Sequence, residues 1–465
     1  MKRIQLAVTV ILLILLLSAA PLWSQESSEE ENKQSGPGLD FGMGLGIGAE
    51  TFNENIDGVS TPITWQTFSF SPELTFGKFG IGLDVTFHFR FTGGELNDTF
   101  EFRSEDWVPN TAADFLPLYL PKFQYIRWAH KGDPLYIKLG SIEDGLLGNG
   151  FIMGNYANTM FLPEKRLFGL SFDMDGELFQ FPYIGIETFV ANLAAFDVFG
   201  TRLYTRPLAW MEASIPQNLQ VGFTVAVDRD PYYHLENRDF NGDGTDDEGL
   251  VYILGGDIKV PILAKPLISF VTFGDIAFEK KHAGGMLGFG GRLLKVVPYR
   301  AELRILGKNF IPVYFDAVYD LFRPLKYEIF AGRGEIPGYV GWLGSTGISL
   351  FDDALSFIIA VDGPFKKPAP ADSSNFSNYP HLRADFQLTQ DLLPGIFMGA
   401  SYDKRFLREF NDLIDPEGAV IGAELGFATG PASISLVYSL RYDPSLEGDE
   451  KWEITSGLQS SLSLF

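Results

Sequence analysis

The 465 residues contain no cysteine, which excludes disulfide frameworks, thiolate metal sites, cysteine nucleophiles and an acylated lipoprotein anchor. Basic residues are scarce: 36 Lys and Arg against 59 Asp and Glu give a formal charge of −23. That balance excludes nucleic acid as the expected partner, because phosphate backbones are held by clustered positive charge. Beyond Gly38 no apolar run reaches the roughly 18 residues that a membrane-spanning helix needs. Histidine is limited to His88, His130, His234, His282 and His381. They are scattered, no Gly-x-Ser-x-Gly elbow accompanies them, and the chain is therefore not expected to be an enzyme. What is abundant is glycine (50), phenylalanine (42) and tyrosine (18) within a 46% hydrophobic composition. This excludes a disordered chain and favours strands and turns.

Residues 1–24 read as a secretory signal: Lys2 and Arg3 precede the apolar stretch Ile4 to Leu17, and Ser24 supplies a small residue at the cut. An uncleaved membrane anchor is the other reading of this segment. Residues 25–38, rich in Ser and Glu and ending Gly-Pro-Gly, read as an acidic periplasmic tether.

From residue 39 the pattern alternates with period two, which no helix satisfies. Leu39, Phe41, Met43, Leu45 and Ile47 alternate with Asp40, Gly42, Gly44, Gly46 and Gly48. Phe79, Ile81, Leu83, Val85, Phe87, Phe89 and Phe91 alternate with Gly80, Gly82, Asp84, Thr86, His88, Arg90 and Thr92. Similar segments recur to the carboxyl terminus, and their connections alternate between short turns, such as Gly77 to Lys78 and Ala264 to Pro266, and long loops, such as Ile142 to Leu167 and Gly307 to Gly338. Such alternation of connection lengths is expected of strands that zigzag through a bilayer. A water-soluble sandwich would produce the same side-chain alternation. The export signal, strands of about nine to eleven residues and the phenylalanine-rich face favour a membrane barrel, in which the sheet closes because lipid satisfies no backbone amide. The expected fold is an all-β transmembrane antiparallel up-and-down barrel over residues 39–465, of about 18 strands (range 16–20), with an inward-folded loop.

The signal, the alternating segments and a final strand, Trp452 to Phe465, that ends in phenylalanine together resemble the bacterial outer-membrane porin-like barrels. That resemblance implies a place in the outer membrane of a diderm bacterium, in contact with its lipids. It implies insertion by the barrel-assembly machinery through the terminal strand, and passive diffusion of small polar solutes or ions. A homo-oligomer is compatible with it. The runner-up is a plugged channel for hydrophobic substrates, akin to fatty-acid transporters, because Leu146 to Met153 would line a greasy path; an outer-membrane enzyme comes third.

The loop 142–167 is too apolar across Gly145 to Gly154 for an ordinary solvated loop. It is expected to constrict the pore, with Glu143 and Asp144 facing Lys165 and Arg166 across the narrowest point. Gly42 to Gly48 are expected to form a wall that another segment approaches closely. His88, Arg90, Arg300, Glu302 and Arg304 are expected to line the lumen; the last three would form either an anion-selecting ladder or a self-neutralising wall. Asp239, Asn241, Asp243, Thr245 and Asp247, with Gly244 between them, match the first nine positions of an EF-hand-type loop, so a weak calcium site is expected at 239–248; no other cofactor is. Asn309 to Phe322 and Lys404 to Leu413 carry apolar residues at helical spacing and are expected to form short helices within long loops.

Overall fold

The computed structural model describes residues 39–463, apart from 57–58, 93–98, 163–164, 236, 241, 243, 352, 367–379, 391, 430–431 and 443–450. The expected signal and tether, and the last two residues, lie outside the described residues. The strands are β1 (Leu39–Ile56), β2 (Val59–Phe76), β3 (Phe79–Leu83), β4 (Val85–Thr92), β5 (Thr99–Phe102), β6 (Phe123–Trp128), β7 (Leu135–Gly140) and β8 (Gly169–Asp175). They continue as β9 (Ile184–Val190), β10 (Val198–Thr205), β11 (Gln220–Asp228), β12 (Val251–Lys265), β13 (Ile268–Glu279), β14 (His282–Leu293) and β15 (Val297–Leu306). The last seven are β16 (Tyr339–Leu350), β17 (Leu355–Pro364), β18 (His381–Leu388), β19 (Ile396–Lys404), β20 (Ala419–Thr429), β21 (Ala432–Tyr442) and β22 (Trp452–Ser463).

All lie in one antiparallel sheet, and pairing of β1 with β22 closes it into a ring. β3 and β4 lie end to end against β2. On their other side, β5 pairs with β4 and β6 with β3. Among the described residues the twenty-two segments therefore make twenty staves, the upper end of the expected range of 16–20 around eighteen. The segments β6, β7 and β8 have six, six and seven residues, shorter than expected. Here the chain leaves the wall early: Gly140, at φ 114°, ends β7 and turns the backbone away from it. A Cβ at that position would run into the Gln124 carbonyl, so only glycine makes the turn without strain.

The alternation has the expected sense. On β12, Tyr252, Leu254 and Ile258 are exposed outward, whereas Val251, Ile253 and Asp257 are buried inward. On β15, Leu303 and Ile305 face out, and Glu302 and Arg304 face in. An apolar exterior of this kind is stable only against lipid. Gly77–Lys78 and Pro266–Leu267 are among the short turns on one side; the long loops 141–168, 229–250 and 307–338 stand on the other. Among the described residues no helix is long and apolar enough to cross a membrane.

The largest apolar core lies inside this ring. Leu147, Phe151, Ile152, Met153 and Tyr156 of the loop after β7 pack with Phe310, Tyr314 and Phe315 of the loop after β15. The wall contributes Phe189, Ala226, Ile253, Phe273 and Met286. A helix, Tyr319–Ala331, covers them on the long-loop side through Phe322, Ile329 and Phe330. It begins ten residues later than the sequence spacing placed it. Residues 309–318 run as turns and bends against the inward loop, where the Val313 and Phe315 N–H groups donate to the Phe151 and Ile152 carbonyls in place of bonds within a helix.

Candidate functional site

The inward loop is built from its neck upward. Asn158 closes the neck: its Oδ1 accepts from Ile142 N–H at 2.8 Å, and its Nδ2 donates to the Gly140 and Ala191 carbonyls at 3.2 and 2.9 Å. Above it, Gly145 and Tyr156 exchange two backbone hydrogen bonds. The tip reaches into the lumen and docks on charged side chains of the wall from β9 to β15. Gly148 N–H donates to Glu187 at 2.8 Å, Asn149 Nδ2 to Asp275 at 2.9 Å, and Arg300 Nη2 to the Asn149 carbonyl at 2.6 Å. Arg202, 1% exposed, binds Asp257 through two nitrogens at 2.7 and 2.8 Å and Glu187 at 2.8 Å, so that receiving surface is itself paired.

The wall makes room for the loop with glycines on β10, β12 and β14, not on β1. A Cβ on Gly200 would stand 2.7 Å from Leu147 Cδ1, one on Gly255 2.5 Å from Ile152 Cδ1, and one on Gly284 would overlap the Phe310 ring. By contrast Gly44, Gly46 and Gly48 border a cavity of about 380 Å3, and no segment packs against Gly44 beyond its strand neighbour Ser71. The close approach expected at β1 occurs on the other side of the barrel, because the loop springs from β7 and reaches the strands facing it.

A second layer fixes the loop from above. Val313 and Phe315 N–H donate to the Phe151 and Ile152 carbonyls, and Gly154 N–H donates to Phe315, forming a parallel pairing inside the lumen. The covering helix is tied to the wall by buried charges. Arg323 binds Asp228 through two nitrogens at 2.6 Å and Asp197 at 2.9 Å, while Tyr156 donates to Asp320 at 3.0 Å. His234 lies 3.6 Å from Asp320 and 3.3 Å from Lys165. Burial holds its imidazole below the ordinary value, against the pull of Asp320.

The β8–β15 side of the lumen is thus filled, and open space follows the β15–β22 wall. A cavity of about 140 Å3 between residues 310–317 and the wall is bordered by Arg304, Asp362, His381 and Arg405. It shares Ala317, Arg383 and Asp403 with a cavity of about 280 Å3. That one shares Glu143, Asp385 and Ser439 with a cavity of about 950 Å3 on the short-turn side. The 380 Å3 cavity joins them at Leu162 and Ser439. The 280 Å3 cavity is lined from the wall by Arg383, Asp385, Asp403 and Arg441 together with Tyr402 and Val420, and on the loop side by Ala157, Met160 and Val318.

The sequence-predicted residues are distributed unevenly over this geometry. Glu143 borders the 280 and 950 Å3 spaces, and Asp144 is exposed near Lys131, whose Nζ reaches its carbonyl. Lys165 stands over the Tyr233 ring, and Arg166 pairs with Asp84 at 2.5 Å. The four do not face one another across one constriction, because each base finds a nearer partner on the wall or in a neighbouring loop. His88 is held between Glu50 at 3.0 Å and Asp106 at 2.8 Å and borders none of the four lumen cavities just described. Arg90 pairs with Glu101 and lies over Trp65. Glu302 bridges Arg300 and Arg304 at 2.5 and 2.7 Å, and Asp362 lies 3.5 Å from Arg304, so the trio is neutralised with the help of Asp362 and, through Arg300, anchors the loop. Arg304 alone of the three borders the path.

Asn241 and Asp243 of the expected calcium loop lie outside the described residues. Of the others, Asp239 accepts from Gly244 N–H at 2.8 Å and Asp247 from Phe240 N–H at 3.0 Å; Thr245 is exposed. Among the described residues no three metal-binding side chains gather. Asn158, Arg202 and Asp275 were not singled out from the sequence. For Arg202 and Asp275 the inward parity of their strands is the available signal. For Asn158, a lone polar residue in a loop, there is none.

No protein-family model matches the chain, and no curated protein matches it. Among solved structures it is similar to Pseudomonas aeruginosa OccK2 (OpdF), at 11% identity over 92% of this chain and 98% of that one, with a TM-score of 0.31. Pseudomonas aeruginosa OpdO is 10% identical over 92% and 98%, with a TM-score of 0.35. Acinetobacter baumannii OccAB4 is 7% identical over 93% and 99%, with a TM-score of 0.32. The closed ring of strands makes this chain a barrel independently of these proteins, and no solute is carried over from them.

Proposed function

We propose that the protein is an outer-membrane porin-like channel for passive diffusion of small polar solutes or ions, with the loop 142–167 as its constriction. The observation that carries this reading is the series of neighbouring cavities along β15–β22, which share lining residues and are bordered by Arg304, Arg383, Asp385, Ser401 and Ser439 while the loop packs against the β8–β15 side. A polar path of this kind suits hydrated solutes. The long loops then face outward from the cell, the start of β1 and the end of β22 lie on the periplasmic side, lipid covers the apolar exterior, and the terminal strand is the segment offered to the assembly machinery.

The hydrophobic-substrate alternative, which rested on Leu146 to Met153, has less to stand on: Leu147, Phe151, Ile152 and Met153 are at most 7% exposed, and of the large apolar side chains in that stretch Leu146 alone, at 38%, is exposed. Liposome swelling tests the proposal. Vesicles carrying the protein should swell with small neutral polyols, more slowly as solute size increases; vesicles as tight as protein-free ones would contradict it.

A further inference from the structure

We propose that the path prefers cations to anions, and that Glu143, carried on the inward loop, sets that preference. This rests on the channel reading above and adds the charge class of the solute.

The cavity of about 950 Å3 is bordered by Glu143, Asp385 and Glu424, with no Lys, Arg or His among its lining residues. The next cavity sets Arg383 and Arg441 against Glu143, Asp385 and Asp403. The 380 Å3 cavity sets Arg166 against Glu50 and Asp84, and Glu50 also holds His88. Negative charge is therefore in excess along the path toward the short-turn side. Two basic residues of the wall are engaged at the seat of the loop, Arg202 with Asp257 and Glu187 and Arg300 with Glu302 and the loop tip, while Arg383 stays on the path, paired with Asp385. On the long-loop side the 140 Å3 cavity is balanced differently, with Arg304, Arg383, Arg405 and His381 against Asp316, Asp362 and Asp403, so the acidic excess lies at the short-turn end.

Of the two carboxylates that border both the 280 and the 950 Å3 cavities, Asp385 is paired with Arg383 at 2.9 Å, whereas the Glu143 side chain is exposed, so Glu143 holds the decisive position. A space of about 950 Å3 is on the order of 10 Å across, comparable with the Debye length of about 10 Å at 0.1 M salt, so a carboxylate there is felt across the whole bore. A single charge about 5 Å from a permeating ion changes its local concentration on the order of fourfold even at the dielectric constant of water, raising cations and lowering anions. Charged rings set selectivity in this way in channels generally.

The test is the reversal potential across a planar bilayer in a KCl gradient, measured with the full-length protein. The native channel should show a potassium-to-chloride permeability ratio of about threefold or more. Glu143→Gln should cut that ratio at least about in half, and Glu143→Lys should invert it toward chloride. Glu335→Gln, which removes the same charge from an exposed pair with Lys308 outside the four cavities, should leave the ratio unchanged. A native ratio at or below one, or a Glu143→Gln channel as selective as the native one, would overturn the proposal. Absence of any conductance would instead overturn the channel reading on which it rests.

Discussion

Arg300 on β15 donates to the main-chain carbonyl of Asn149 at 2.6 Å, joining the barrel wall to the tip of a loop that leaves the opposite wall at Gly140. The same guanidinium is steered by Glu302 at 2.5 Å and lies 4.5 Å from the Phe273 ring centroid. A charged side chain on the inner wall therefore positions the constriction by gripping backbone.

Arg300→Ala should loosen that grip by about 1.5–3 kcal/mol, the usual worth of a hydrogen bond to a charged group. Glu302 keeps Arg304 as its partner, so the wall itself should hold. Single-channel recordings should show added brief conductance increases as the tip detaches. Traces indistinguishable from the native protein would show that the contact does not restrain the loop.

Gly255→Val should displace the loop by crowding. Its Cβ would stand 2.5 Å from Ile152 Cδ1 and 3.1 Å from the Ile276 carbonyl, and overpacking of this kind costs roughly 1–3 kcal/mol. Higher conductance with an intact barrel, judged by heat-modifiable migration, is the expected outcome; unchanged conductance would mean that Ile152 accommodates the extra methyl groups.

Acidification should weaken docking of the covering helix. His234 is buried against Asp320, Lys165, the Phe161 ring and the Tyr233 ring, with Arg323 nearby. Burial lowers its folded pKa below 6.5. Between the unfolded and folded values the undocked state binds more protons, so stability falls as pH drops below 6.5 through the folded value. Protease cleavage within residues 229–250 should accelerate from about pH 6.5 downward, and His234→Gln should flatten that dependence. A pH-independent cleavage rate in the native protein would remove His234 from this role.

Calcium at the 239–248 turn, as its residue spacing suggests, predicts faster cleavage between Asp230 and Gly249 when a chelator is added. Equal digestion with and without chelator would remove the metal; Asp239 and Asp247 already accept backbone hydrogen bonds that shape the turn.

The barrel was legible because strand alternation is a local property: Leu303 and Ile305 against Arg300, Glu302 and Arg304 can be read without knowing what lies beside them. The burial of Gly145 to Gly154 was legible for a similar reason, since an apolar loop must find cover. Its cover was not. Which strands receive the tip depends on where β7 ends and how far across the ring the chain reaches, so Gly200 and Gly255 do the work expected of Gly42 to Gly48. Lys165 and Arg166 were misplaced for the same reason: their partners, Tyr233 and Asp84, are distant in sequence and near only once the ring has closed. Asn158 stayed hidden because a neck-closing amide has no periodicity to betray it.

The measurement that bears most directly on the half-filled lumen is single-channel conductance of the native protein beside a variant lacking Gly145 to Gly154. If the loop blocks one side of the bore and leaves a polar path along β15–β22, the native protein conducts steadily and the deletion conducts several-fold more. Equal conductance in the two would contradict the placement of the loop, and a native protein that never conducts would contradict the path.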